Sequence, residues 1–89
     1  MDFIHTREYL NGGDTIVIKV THKCTVRVMD DGNFQKYRNG LKHEFVGGDY
    51  TKSPIHIKVP HLGNWNITLD LGGKIASGIK YSISYMKRP

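Results

Sequence analysis

The sequence predicts an all-β domain: a small antiparallel sandwich or partly open barrel of six to eight short strands, with at most one short helical turn. Three observations carry that prediction. Apolar and polar residues alternate with period two in run after run, as they must when a pleated strand buries one face and shows the other to water. The runs are short and broken by Asn11-Gly12-Gly13, Asp30-Asp31-Gly32-Asn33, Gly47-Gly48-Asp49 and Gly72-Gly73, residue types that turn a chain at low conformational cost. Only Phe34–Arg38 has apolar residues at helical spacing.

The elements follow in order. Phe3 to Tyr9 alternates in a mixed pattern and predicts a short edge strand before the first turn. Thr15 to Thr21 is a strand with Ile16, Ile18 and Val20 in one row. After His22-Lys23, a second run from Cys24 to Met29 sets Cys24, Val26 and Val28 in one row, and the two runs read as an antiparallel hairpin. Asp30-Asp31-Gly32-Asn33 breaks the strand. Phe34 to Arg38 then predicts one helical turn, capped by Asp31 or Asn33, stopped by Asn39-Gly40, and pressing Phe34 and Tyr37 onto the sheet. Leu41 to Val46 is a weaker strand, Gly47-Gly48-Asp49 a turn, and Tyr50 to Pro54 irregular.

Ile55, Ile57 and Val59 mark the next strand, ended by Pro60. From Trp65 the alternation is cleanest: Trp65, Ile67, Leu69 and Leu71 face the core, while Asn66, Thr68 and Asp70 meet water. A glycine-rich connector from Gly72 to Gly78 leads to a last strand, Ile79 to Met86. The predicted core comprises Ile16, Ile18, Val20, Val26, Val28, Ile55, Ile57, Val59, Trp65, Ile67, Leu69, Tyr81 and Ile83.

Size and charge bound the rest. Eighty-nine residues make a single domain, residues 1–89, with a thin core. No apolar run approaches the ~18 residues that span a bilayer, the first residues do not read as a secretory signal, and the lone Cys24 has no intrachain partner. The expectation is a reduced, cytoplasmic protein that does not enter a membrane. A net charge of +5 and a pI near 9.5 favour anionic partners. Nine lysines against four arginines, spread along the chain, favour a charge that only solubilises.

Three passages together carry a resemblance. They are Met1-Asp2-Phe3 with Arg7-Glu8-Tyr9-Leu10; Met29-Asp30-Asp31 with Asn33-Phe34; and Val59-Pro60 with Gly63 through Gly73 and Tyr81-Ser82-Ile83. They resemble an uncharacterised family of small all-β bacterial proteins, a domain of unknown function found alone or attached to other domains, including Toll/interleukin-receptor-like ones. The resemblance implies the same fold class, a bacterial setting and a recognition module rather than an enzyme, the last by analogy. It brings no catalytic residue.

The residues themselves offer little chemistry. Five histidines, at 5, 22, 43, 56 and 61, lack the spacing of a zinc site. Asp30-Asp31-Gly32-Asn33 lacks the ligand ladder and distal glutamate of a calcium loop. There is no nucleophile elbow and no phosphate-cradling loop before a helix, and Cys24 sits in an apolar row. The expectation is a non-enzymatic binding module with no cofactor and no metal.

Two binding surfaces are then candidates. One is the 30–53 region, with Asp30, Asp31, Asn33, Tyr37, Arg38, His43 and Tyr50, joined by His61 in the turn before Trp65, recognising a protein or small-molecule partner. The competing reading is that Phe34, Tyr37, Phe45 and Tyr50 cap one end of the core. The alternative surface is a basic sheet face of Lys19, Lys23, Arg27, Lys58 and Lys80 for nucleic acid or other phosphates. It has charge but no stacking platform, because Trp65, Tyr81 and Tyr85 fall in apolar rows. Self-association into a homo-oligomer through edge strands is a further expectation.

Overall fold

The computed structural model describes residues 3–72 and 79–88. Seven strands and one helix follow in the order β1 (Ile4–Leu10), β2 (Thr15–Val20), β3 (Cys24–Asp30), α1 (Asp31–Arg38), β4 (Val46–Tyr50), β5 (Ile55–Lys58), β6 (Gly63–Asp70) and β7 (Tyr81–Met86). They form two antiparallel sheets, β1-β6-β3-β4 and β5-β2-β7, which face each other and do not close into a barrel. Among the described residues no helix is long and apolar enough to cross a membrane.

The core lies between the sheets. Val26, Val28, Trp65, Ile67 and Leu69 point inward from one, Ile16, Ile18, Ile55 and Ile57 from the other, and Leu10, Cys24, Val59 and Leu71 complete it. Trp65 is a core residue, as its register implies, and its indole nitrogen donates to the His61 carbonyl (3.0 Å). Val20 and Ile83 are only partly buried.

The structure differs from the sequence reading in five places. β2 and β3 are not a hairpin: β2 pairs with β5 and β7, β3 with β4 and β6, and the chain at His22-Lys23 passes from one sheet to the other. The fourth strand runs over Val46–Tyr50, so Gly47-Gly48-Asp49 is strand, and Leu41–Phe45 has no regular structure. Gly47 has φ of 134° and a Cβ there would collide with the Val26 carbonyl oxygen, so only glycine fits against β3.

The helix is eight residues, two turns rather than one. Its N-cap is Asp30, whose Oδ1 accepts from the Asn33 amide (2.8 Å); Asp31 sits in the first turn, where a carboxylate suits the dipole. It ends as predicted. Gly40, with φ of 71°, lets the Leu41 amide reach the Lys36 carbonyl and its own amide reach that of Tyr37.

The fourth difference concerns the outer face of the larger sheet. Asn66 and Thr68 do not meet water: they are 1% and 0% exposed. Helix α1 lies over the outer face of the larger sheet, and Phe34 and Tyr37 form a second apolar cluster there with Met29 and Phe3. Those rings therefore cover the back of the sheet rather than an end of the main core. Fifth, Tyr81 is not a core residue; it is 49% exposed. The predicted connector over residues 73–78 lies outside the described residues.

Candidate functional site

The two outer faces are built from the same kind of polar strand positions and differ in what lies on top. On the larger sheet those positions are consumed by structure. Asn66 donates to Asp31 Oδ1 (2.8 Å) and to the Met29 carbonyl (3.3 Å), and its Oδ1 accepts from His5 Nε2 (2.9 Å). His5 stacks on Phe34 at 4.2 Å. Arg7 donates from Nε and Nη2 to the two oxygens of Asp31 (3.0 and 2.7 Å). That bidentate pair, with Asn66, holds the Asp31 carboxyl down at about 2.

Most of the 30–53 candidates belong to this layer. Asp30 is the helix cap; Asn33 donates to Asp30 and accepts the Glu44 amide (3.0 Å); Tyr37 is buried, which pushes its phenol up. Arg38 lies over the Phe34 ring (5.7 Å) and is exposed. His43 packs edge-on to Tyr37 (5.1 Å), and Tyr50 leans on the main core. The structure does bring Asp30, Asn33 and His61 together, in a groove of about 200 Å³ also lined by Phe45, Val46 and Trp65. Asp31, Tyr37, Arg38, His43 and Tyr50 are not part of that groove.

The five basic-face residues divide. Arg27 is on the larger sheet, its guanidinium over the rings of Tyr37 (5.2 Å) and Phe45 (5.4 Å), with Asp70 Oδ2 3.9 Å from Nη1. Lys23 borders a cleft of about 400 Å³ with Cys24, Asp49, Tyr50 and Asp70. Cys24 is buried there, and burial pushes its thiol up, the opposite of what a nucleophile needs.

Lys19 and Lys58 belong to the smaller sheet, where the register settles their face, and Lys80 immediately precedes β7. Thr15, Val17 and Lys19 of β2 point away from the core; beside them stand Lys58 and His56 on β5, and Met86, Ser84 and Ser82 on β7. Lys80, tied to Thr21 by two hydrogen bonds (3.0 and 3.1 Å), continues the same row. Strands β2, β5 and β7 contain no acidic residue, and no ion pair among the described residues involves Lys19, Lys58 or Lys80. Among the described residues no helix lies over this face, which shows the lysines, His56, Ser82, Ser84 and Met86 to water around a buried Val17. Among the described residues no cluster of three or more His, Cys, Asp or Glu is placed to hold a metal ion.

A model of one family matches residues 1–89, the whole length of the chain. The chain belongs to the family described as a domain of unknown function (DUF1883). In the same comparisons no curated protein and no solved structure matches.

Sequence reasoning leaves one built feature unremarked. Asp14, 1% exposed, accepts the Arg88 amide and the Asn11 amide (both 2.8 Å), with Lys87 Nζ 3.7 Å away. Those backbone donors lower its pKa. The Asn-Gly-Gly-Asp turn signals a local turn carboxylate, but nothing local announces Arg88, 74 residues on.

Proposed function

We propose that this domain is a binding module without chemistry of its own, and that it engages the phosphate backbone of a nucleic acid through the outer face of β5-β2-β7. The observation carrying the reading is the acid-free sheet: Lys19, Lys58 and Lys80 share one exposed face with Ser82 and Ser84 and have no carboxylate partner among the described residues. Desolvating an ammonium is unfavourable unless an anion replaces its water, so such a face selects polyanions. Lysine and hydroxyl donors suit phosphate oxygens and read no sequence. The reading places the domain in a bacterial cytoplasm, where nucleic acid is at hand and the thiol of Cys24 stays reduced.

Gel retardation of a mixed-sequence oligonucleotide tests it. Three phosphate contacts predict a loss of roughly 20–40-fold in affinity between 50 and 200 mM salt. Replacing Lys19, Lys58 and Lys80 together by glutamate abolishes retardation while the protein melts normally. Absence of retardation by the native protein at 50 mM salt ends the reading.

One observation favours a second reading, in which the 30–53 region meets a second copy of the chain. Phe45 and Val46 are exposed at the start of β4 and Leu41 just after α1, and β4 has no neighbour on its outer side among the described residues. An edge strand meeting itself about a two-fold axis is self-complementary. Sedimentation equilibrium then gives a dimer that Phe45→Glu converts to monomer. A monomer at every concentration removes this reading.

A further inference from the structure

At the end of β2 and β7 the basic face folds over into a cleft of about 330 Å³, whose walls include Lys19, Thr21, Lys80, Tyr81 and Ser82. Tyr81 pairs with Val20, in the row that elsewhere enters the core. Here, at the sheet end, Val20 is itself only partly buried and the Tyr81 ring stays half in water. The walls are held in place. Ser53 Oγ donates to the Val20 carbonyl (3.2 Å), and the Lys80 amide donates to Thr21 Oγ1 (3.1 Å). Lys19, Lys80 and Ser82 from the outward row and the half-exposed Tyr81 from the inward row thus line one space, the size of a small ligand, around the end of the sheet.

We propose that this cleft takes one nucleotide of a single-stranded nucleic acid, with the base on the Tyr81 ring and the phosphate between Lys19 and Lys80. The proposal rests on the basic-face reading and deepens it, since it selects among polyanions. A duplex hides its base faces in its own stack, and a lipid surface offers none. Lys19 and Lys80 attract all three, whereas the ring rewards only an unstacked base. Stacking is indifferent to base identity because every base has a π-face, so the cleft prefers single strands without preferring a sequence.

Fluorescence anisotropy at 50 mM salt separates these ligands, using a labelled twelve-nucleotide thymidine strand and a labelled duplex of the same length. The native protein binds the single strand more tightly than the duplex. Tyr81→Ala weakens the single strand roughly tenfold or more, the range of one lost base stack, and leaves the duplex nearly unchanged. Tyr81→Phe keeps the native affinity. Lys19→Gln with Lys80→Gln weakens both. As a readout on the native protein, a strand carrying 5-iodouracil photocross-links to Tyr81.

If the native protein binds, Tyr81→Ala has no effect and no cross-link forms at residue 81, the stacking site is wrong and the basic face stands. Binding of neither nucleic acid overturns both. Salt-sensitive binding to phosphatidylserine vesicles in place of either nucleic acid overturns both as well, and assigns the lysines to a membrane surface.

Discussion

The outer faces of the two sheets began with the same pattern and met opposite fates. On β6 the polar row Asn66, Thr68 and Asp70 lies beneath or beside α1, and its side chains bond to His5, Asp31, Met29 and Arg27. On β2 and β5 the polar row of Lys19, His56 and Lys58 faces solvent. On the first face the arginines have anionic or aromatic neighbours: Arg7 has Asp31, Arg27 has Asp70, Tyr37 and Phe45, and Arg38 has Phe34. Among the described residues Lys19, Lys58 and Lys80 on the second face have none of these. Polar residues on a covered face are structural, and the same residues on a bare face are available to a partner. The separation follows from α1 docking on one side only.

Substitutions break this contrast in graded steps. The largest effect falls on Phe34, which anchors the covering helix: Phe34→Ala costs about 3–5 kcal/mol, read as a fall in the denaturant midpoint. Next comes Asn66→Ala, which strands the hydrogen-bonding groups of His5, Asp31 and Met29 and costs about 1–3 kcal/mol. A melting temperature lower by several degrees is the expected readout.

Acid acts less strongly. The folded carboxyl of Asp31 titrates at about 2, below its unfolded value, so its stabilisation is complete above about pH 4 and is lost as pH falls from there towards 2. Asp14, shifted the same way, adds to that loss. A melting series in pH shows it, and Arg7→Gln flattens the series in part; the pair is half-exposed, so salt flattens it too. The smallest effect belongs to the bare face. Lys19→Ala and Lys58→Ala change stability by no more than about 0.5 kcal/mol. A loss above that in urea titration would make either lysine part of the scaffold.

The alternation of Trp65, Ile67, Leu69 and Leu71 made the core strand legible, because a period of two assigns residues to opposite faces. It does not say whether the opposite face is covered. That depended on α1, whose first turn, Asp31-Gly32-Asn33, has poor helix formers and reads as a break. Its actual cap, Asp30, belongs to the preceding strand. Period also says nothing of sheet membership, so Arg27 and Lys19 looked like neighbours in one basic row although they lie on opposite sides of the molecule. Tyr81 shows the remaining gap: register put it in an inward row, but where that row reaches the sheet end is a property of the assembled fold. The basic-face lysines of β2 and β5 were readable for the reason the core was, as the outward half of clean alternation.

The one-sided charge has a kinetic consequence. The layer of β1, β6, β3, β4 and α1 holds carboxylates and cations in near balance, whereas β5-β2-β7 holds cations alone. The two layers stack along a shortest axis of only 17 Å, so the charged side chains of the regular elements are divided unevenly between the two broad sides. On the proposed reading, the field of a polyanion turns the molecule before contact, and encounters arrive with β2 foremost. That reading predicts that lysine substitutions there act mainly on the association rate, and loss of the Tyr81 ring mainly on how long the complex lasts.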